Sequence, residues 1–360
     1  MLARYTKTTG SCKHTYSRLL LALVIMAMNG CNQEKENVLK GSKAISGSGD
    51  YFFCMQTKDG KDAYCVVDLA GGSRKAMSLP LEESVQSLGV AWKPNNGSPR
   101  PGPNEEFFFL TNTEPREIHT YRVDGRNIIK VSSYPIDPNI SATARSISVN
   151  PNGDRMLLRI NSFTPQLRIN LAVYSETDKS MTILSQQETF HLCWNNSTSF
   201  WIAIPPESEG GHEWAINRVS LDPNTAKWES ASVVSGDDLC LSQPGLVGSV
   251  NPLIYAKGRS LYRNGHQIAI LREQPDRLYV DGSLIACRSK NWENGRTIDI
   301  VNAEGEYVFK KTLPEGSLFL GLSVKKACIF FLNKERTCLM SCDIHTGEEV
   351  LLFDVLDKSM

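Results

Sequence analysis

The feature that most constrains the fold is a strand–turn–strand unit that occurs seven times along the chain. In each unit an apolar strand runs into a polar turn, and these turns open at Asp68, Asp124, Glu176, Asp222, Asn264, Asn302 and Asp343. Successive turns are 56, 52, 46, 42, 38 and 41 residues apart. Asp and Asn suit such positions because they hydrogen-bond the local backbone and tolerate positive φ. The chain is therefore organised as a structural repeat.

The segments between these turns have the composition of β-strands. Stretches such as DYFFCMQT, EFFFLT, RMLLRI and ACIFFL are short, rich in β-branched and aromatic residues, and bounded by Gly, Pro, Asn or Asp. Beyond residue 30, no window longer than about a dozen residues keeps helical apolar spacing. A period of roughly 40 to 50 residues with four strands per unit is typical of propeller blades. We predict an all-β, seven-bladed β-propeller of four-stranded antiparallel blades, with six or eight blades as alternatives.

The N-terminal segment has the composition of a secretory signal. Residues 1–18 contain four basic residues and no acid, and the apolar run LLLALVIMAM follows at residues 19–28. That run is shorter than the roughly 20 apolar residues needed to span a bilayer, but it fits the apolar core of a signal peptide. The Gly30-Cys31 step after it resembles the lipobox of bacterial lipoproteins, in which the cysteine becomes lipidated and starts the mature chain.

The lipoprotein resemblance implies a domain organisation and a location. Residues 1–30 would be the signal peptide, 31–42 a flexible tether anchored through Cys31, and 43–360 a single propeller domain. Asn32 stands where an Asp often marks retention in the inner membrane. The resemblance therefore implies a lipid-anchored protein of the bacterial cell envelope, at the outer membrane and facing the periplasm or the exterior. The alternative is an ordinary secreted protein.

The charge of the chain disfavours a nucleic-acid partner. The protein has 39 basic and 39 acidic residues, and removal of residues 1–30 leaves 35 basic ones. The mature chain would be mildly acidic, whereas nucleic-acid binding requires a basic surface. We expect no nucleic-acid partner.

Two local stretches resemble turns of known propeller families. ISVNPNGDRMLLR, from Ile147 onward, resembles the strand–turn–strand of TolB-like and WD40-like propellers, with Val149 and Asn152 in place of a Trp and an Asp. CDIHTGEEVLLF, from Cys342 onward, resembles the repeat of quinoprotein-like propellers. Each motif occurs well only once, so these resemblances imply the fold and not a function.

One pair of cysteines is a disulfide candidate. Eight cysteines remain besides Cys12 and Cys31, and most lie in apolar strands, where thiols act as small buried residues. No C-x-x-C pair occurs, which disfavours a zinc site. In FFCMQTKDGKDAYCVV the Asp-Gly step predicts a two-residue hairpin turn. Counting outward from that turn places Cys54 opposite Cys65.

The sequence contains no recognisable catalytic motif. It has no G-x-S-x-G elbow, no phosphate-binding loop and no H-E-x-x-H. Five histidines follow the signal segment, scattered singly at His119, His191, His212, His266 and His345. Such isolated histidines are more often structural than catalytic. We therefore assign no catalytic residue and no metal ligand.

The candidate ligand-binding residues lie in long connections on one rim of the propeller. Loops between second and third strands, and between blades, share that rim and often carry function. Here they include PPESEGGHEW, SKNWENG and SGDDLCLSQPG. Tryptophans flanked by acids can grip a sugar or a peptide, or they can fill gaps between blades. The candidates are Trp201, His212, Glu213, Trp214, Asp237, Asp238 and Trp292.

Three functions fit these features. The favoured hypothesis is a membrane-tethered propeller without enzymatic activity that binds an envelope protein or a glycan, with no cofactor. The alternative is a lactonase-like or lyase-like enzyme, in which Asp237, Asp238 and Glu213 would hold Ca²⁺ or another divalent metal at the channel mouth. The third hypothesis is a sensor for a small ligand.

Overall fold

The computed structural model describes residues 39–58, 61–70, 76–81, 87–94, 105–111, 116–136, 140–141, 147–162, 168–185, 191–204, 213–222, 225–235, 239–244, 252–290 and 296–356. These residues form 29 β-strands. A search of the same residues finds no helix with the length and apolarity needed to cross a membrane. The predicted all-β class is confirmed.

The first three blades contain thirteen strands. Blade 1 consists of β1 (Leu39–Ile45), β2 (Tyr51–Lys58), β3 (Lys61–Asp68) and β4 (Ala76–Ser78). Blade 2 consists of β5 (Ser87–Trp92), β6 (Glu106–Thr111), β7 (Glu117–Asp124) and β8 (Asn127–Pro135). Blade 3 consists of β10 (Ile147–Val149), β11 (Arg155–Ser162), β12 (Arg168–Ser175) and β13 (Ser180–Ser185), and the short β9 (Ile140–Ser141) pairs with β11.

The remaining four blades follow the same antiparallel order. Blade 4 consists of β14 (His191–Asn196), β15 (Ser199–Ile204), β16 (Glu213–Asp222) and β17 (Thr225–Ser235). Blade 5 consists of β18 (Leu239–Pro244), β19 (Ile254–Lys257), β20 (Ser260–Arg263) and β21 (His266–Ile270). Blade 6 consists of β22 (Pro275–Asp281), β23 (Leu284–Ser289), β24 (Arg296–Asn302) and β25 (Tyr307–Leu313). Blade 7 consists of β26 (Leu318–Ser323), β27 (Cys328–Leu332), β28 (Cys338–Asp343) and β29 (Glu349–Asp354).

The seven blades form a ring, as the repeat spacing predicts. The first strand of each blade is innermost and lies against the first strand of the next blade, and β26 of blade 7 lies against β1 of blade 1. The seven polar turns identified in the sequence all fall between the third and fourth strands of their blades. The prediction of seven blades and of their turn positions is confirmed.

The hydrophobic core lies between the blades and not within any single sheet. Among the described residues, seven clusters of buried side chains occur, and each joins two neighbouring blades. Because neighbouring blades cover both faces of a blade, inner strands such as β6 and β27 are buried along most of their length. Their sequences are therefore continuous apolar runs. Blades 5 and 6 are also joined by parallel pairing of β18 with β22.

Turns between first and second strands contribute polar contacts between blades. The NPNGD segment, which resembles a TolB-like turn, forms this turn in blade 3. Its Gly153 has φ of +75°, and a Cβ there would lie 3.3 Å from the Cβ of Lys93 in blade 2. The Lys93 ammonium bonds Glu106 of its own blade at 2.9 Å and also Glu176 of blade 3. Glycine thus allows a lysine to cross from one blade to the next.

The ring closes without a shared strand. All four strands of blade 1 come from the N-terminal part of the described chain, and all four of blade 7 from its C-terminal part. The closing contacts are an apolar cluster that includes Phe52 and Phe330, together with Lys326. The Lys326 ammonium donates to Gly49 O at 2.9 Å and pairs with Asp50 at 2.6 Å.

The predicted register of the first hairpin is confirmed. Cys54 lies directly opposite Cys65, and their Sγ atoms are 3.5 Å apart. Both side chains are buried and present as thiols in the structure, so the disulfide stays a prediction. The strand β1 begins at Leu39, which is 1% exposed, so the first described strand begins four residues before the predicted domain boundary at 43.

Substitution of Lys326 tests the closure of the ring. We expect Lys326→Met to lower the free energy of unfolding by about 1 kcal/mol, because it removes a half-exposed ion pair and a bond to a backbone carbonyl. Lys227→Met is the matched control, since Lys227 pairs with Glu229 but its side chain is 74% exposed. Urea denaturation measures both effects. Equal losses in the two variants would contradict a special role of Lys326.

Candidate functional site

Three of the predicted ligand-binding residues, Trp201, Glu213 and Trp214, lie in the described part of the chain. Trp201 and Trp214 pack at the cluster between blades 4 and 5, and Glu213 is exposed at the start of β16. The indole Nε1 of Trp201 has no hydrogen-bond partner in the described part of the chain. Four candidates and the lipidation cysteine lie outside the described residues: His212, Asp237, Asp238, Trp292 and Cys31.

One of the predicted loops contains a strand. SGDDLCLSQPG includes β18 (Leu239–Pro244), the innermost strand of blade 5. Polar residues and Pro244 made it resemble a loop. Its backbone nevertheless pairs with β19 on one side and with β22 on the other.

Three arginines of blade 6 come together on the rim where the loops were predicted. Arg277 and Arg288 are directly opposed on β22 and β23, so they project from the same face of the sheet. Arg288 is in turn opposed to Ile298 of β24. Arg296, two residues before Ile298, shares that face because side chains alternate along a strand. Arg277, Arg288 and Arg296 are called the arginine cluster below.

The arginine cluster faces blade 7 at the mouth of the central channel. Tyr279, two residues after Arg277, packs edge-on against Phe319 of blade 7, with ring centroids 5.0 Å apart. The strand β22 is innermost in its blade and begins at this rim. The connection between β23 and β24 joins two of the arginine strands, and it contains Trp292.

One carboxylate holds the cluster in place. The Nε and Nη2 atoms of Arg288 donate to the two carboxylate oxygens of Asp276, each at 2.7 Å. The Arg288 side chain is 7% exposed and that of Asp276 is 21% exposed. Burial lowers the pKa of Arg296 below its ordinary value, and the guanidinium of Arg288 lowers it further, whereas Asp276 acts in the opposite direction. Burial and the neighbouring guanidinium of Arg288 therefore both disfavour the charged form of Arg296.

This arrangement suits a bound anion. Like charges directly opposed on neighbouring strands destabilise a sheet, and the ion pair with Asp276 offsets the charge of Arg288. Arginine presents a planar fork of donors that matches the two oxygens of a carboxylate. Arg277 is exposed and Arg296 is half-buried, so a carboxylate could reach both.

The described residues do not form a metal site. No group of three or more His, Cys, Asp or Glu side chains in that part of the chain could hold a metal ion. Of the three predicted metal ligands, only Glu213 is described, and it is exposed. The described donors therefore do not fit a divalent metal, and no chemical step is assigned to one.

A second group of titratable side chains lies between blades 1 and 2. The His119 Nε2 atom is 2.5 Å from a carboxylate oxygen of Glu117, and its Nδ1 atom is 3.1 Å from the Tyr121 hydroxyl. Tyr121 is fully buried, and burial raises its pKa to about 12. His119 is itself 6% exposed. Because the Tyr121 phenol is buried, a substrate cannot reach it. These hydrogen-bonded side chains, called the His119 relay below, therefore stabilise the interface between the blades.

The sequence matches no model of a known protein family and no curated protein, but the fold matches solved structures. An oligogalacturonate lyase in complex with manganese shares 12% identity over 88% of each chain, with a TM-score of 0.54. The propeller domain of the Trilobed protease from Pyrococcus furiosus shares 14% identity over 89% of this chain and 99% of its own, with a TM-score of 0.56. Acylaminoacyl peptidase from Pyrococcus horikoshii shares 13% identity over 90% of this chain and 53% of its own, with a TM-score of 0.60.

These comparisons correct the favoured functional hypothesis. A binding propeller without enzymatic activity was expected, yet the similar structures are a lyase, a peptidase and the propeller of a protease. They favour the enzyme alternative instead. The chain spans about half the length of the P. horikoshii peptidase. At such identities the likeness shows the propeller fold alone, so a reaction has to be argued from the site.

The pH dependence of stability tests the His119 relay. Burial, and then Lys130, lower the pKa of His119 below 6.5 against the opposing effect of Glu117. The unfolded chain therefore binds a proton before the folded chain does, and stability should fall as pH drops below about 6.5. In His119→Gln this part of the decline should disappear, whereas in the control His345→Gln, at an exposed turn residue, it should remain. Urea denaturation between pH 7.5 and pH 5 measures the free energy of unfolding across the usual histidine pKa of about 6.5. If this free energy falls equally with pH in all three proteins, the assignment to His119 is contradicted.

Proposed function

We propose that the protein is a propeller enzyme of the lyase kind that acts on a carboxylate-bearing carbohydrate. The observation that carries this proposal is the arginine cluster, in which Arg277, Arg288 and Arg296 share one face of blade 6 and Asp276 holds Arg288. A lactone ring carries no charge, so the cluster favours a lyase over a lactonase. A uronate unit supplies the planar anion that paired guanidinium groups recognise.

The arginines would act by stabilising negative charge. In β-elimination from a uronate, a base removes the proton on the carbon next to the carboxylate. A double bond then forms, the neighbouring C–O bond breaks, and the departing oxygen takes the electron pair. Guanidinium groups bonded to the carboxylate stabilise the charge that develops as the proton leaves. Arg277 and Arg296 would make these contacts, while Asp276 holds Arg288 in position.

Tyr279 is the first candidate for moving the proton. It lies on the same strand face as Arg277, and it is close enough to Arg296 to influence the pKa of that guanidinium. Its ring is held by Phe319 of blade 7, which would fix the hydroxyl relative to the cluster.

Only the sequence analysis indicates a divalent metal ion. Ca²⁺ or another divalent ion would be held by Asp237, Asp238 and Glu213 at the channel mouth, and of these Glu213 is the one in the described chain. Elemental analysis of the purified protein, before and after dialysis against a chelator, tests this metal separately from the arginine cluster.

Substitution of Arg277 tests the proposed reaction. With uronate oligosaccharides as substrates, we expect the wild-type protein to release unsaturated products, followed by their ultraviolet absorbance. Arg277→Gln should lower kcat/KM by roughly 10- to 100-fold, because a charged hydrogen bond is worth about 1.5 to 3 kcal/mol.

The controls separate charge from folding. Arg277→Lys keeps the charge but loses the planar fork, so its activity should lie between those of the wild type and Arg277→Gln. Arg126→Gln removes an exposed arginine from the turn of blade 2 on the opposite rim and should leave activity unchanged. Absence of unsaturated product from every uronate substrate would refute the lyase assignment.

We also infer that the protein is anchored by lipid to the bacterial envelope, with the membrane as one partner. The basic segment, the apolar run and the Gly30-Cys31 step support this inference. Cys31→Ser should abolish labelling with a fatty-acid analogue and release the chain from the membrane fraction. A wild-type protein that is unlabelled and soluble in the periplasm would contradict it.

A further inference from the structure

A cleft lies between blade 7 and blade 1, on the rim opposite the arginine cluster. Its volume is about 340 Å³, within the range of roughly 300 to 1,000 Å³ usual for small-molecule sites. The floor is apolar and includes Leu69, Cys328, Phe330 and Leu352. Asp343, Glu348 and Lys326 lie at its lip. This set of residues is called the seam cleft below.

The seam cleft lies outside the closing apolar cluster, which fills the inner part of the interface between blades 1 and 7. Farther out, the cleft runs along β29, the outermost strand of blade 7, where Val350 and Leu352 line it. Val350 is 43% exposed.

The charge at the lip is negative. The Lys326 ammonium is already bonded to Gly49 O and Asp50, so its charge is matched. Backbone N–H groups of Thr346 and His345 hold the pKa of Asp343 below its usual value, which keeps that carboxylate ionised. Asp343 and Glu348 therefore leave an excess of negative charge above the apolar floor.

We propose that the seam cleft binds a small amphipathic cation, with an aryl or alkyl group in the floor and an ammonium group at Asp343 and Glu348. Burial of an apolar group supplies affinity, and the two carboxylates select a positive charge over a neutral or negative one. Such a ligand touches both blade 1 and blade 7. Because it binds the closed ring and not the unfolded chain, it raises the stability of the protein.

Calorimetric titration of the full-length protein tests the site, with 2-phenylethylamine as the probe and 2-phenylethanol as its neutral isostere. The amine should bind more tightly than the alcohol and should raise the unfolding temperature. Glu348→Gln should weaken amine binding by roughly two- to fivefold, as expected for a solvent-exposed ion pair. Glu348 suits this test because its side chain makes no hydrogen bond among those found in the described chain, unlike the turn residue Asp343.

A space-filling substitution in the cleft is the second part of this binding test. Val350→Phe should weaken amine binding by roughly tenfold or more, because the ring occupies the space that the ligand needs. The matched control is Val308→Phe, since Val308 is also the second residue of an outermost strand and is 39% exposed. Equal binding of amine and alcohol, no binding of the amine, or unchanged binding in Val350→Phe would each overturn the proposal. None of these results depends on the lyase activity.

Discussion

The structure depends on the contact between its first and last blades. A ring of seven blades needs seven interfaces, and six of them join blades that are consecutive in the chain. The seventh has no covalent link and no shared strand, so it is closed by side-chain contacts and by a backbone hydrogen bond from Leu39 N–H to Arg336 O at 2.9 Å. Phe52 and Phe330 contribute apolar burial on the two sides, and Lys326 reaches across to Gly49 and Asp50. If this interface opened, blades 1 and 7 would each expose one apolar face.

The two candidate sites lie on opposite rims. On one rim, the seam cleft lies between blades 7 and 1. On the other, blade 6 gathers the arginine cluster next to the channel, and parallel pairing of β18 with β22 ties its innermost strand to blade 5. A like-charge pair across β22 and β23 is tolerated because Asp276 offsets part of it. Under the proposed function, stability and anion binding would make opposite demands on these strands.

Much of the fold could be predicted from the sequence because its determinants are local. Six of the seven turns open with Asp or Asn, which acts on its own backbone, so these turns could be located without knowledge of any long-range contact. The same holds for the first hairpin, where a two-residue turn fixes the pairing of Cys54 with Cys65. The innermost strand of blade 5 was missed, because LCLSQP is polar at its end and carries Pro244. It is a strand because β19 and β22 flank it.

The candidate site was the part that the sequence did not reveal. Tryptophans and acids in the loops drew attention to blade 4, where Trp201 and Trp214 pack between blades. Nothing in the sequence distinguishes Arg277, Arg288 and Arg296 from other arginines near strand ends, except that Arg288 and Arg296 flank the connection between β23 and β24. Their meeting depends on the register of three strands and on the bulge that lets Asp276 reach Arg288. The sequence by itself determined the repeat, the turns and the all-β class, since these follow from local backbone chemistry. Tertiary structure alone decided which charges meet, because strand register and blade packing bring together residues that the chain keeps apart.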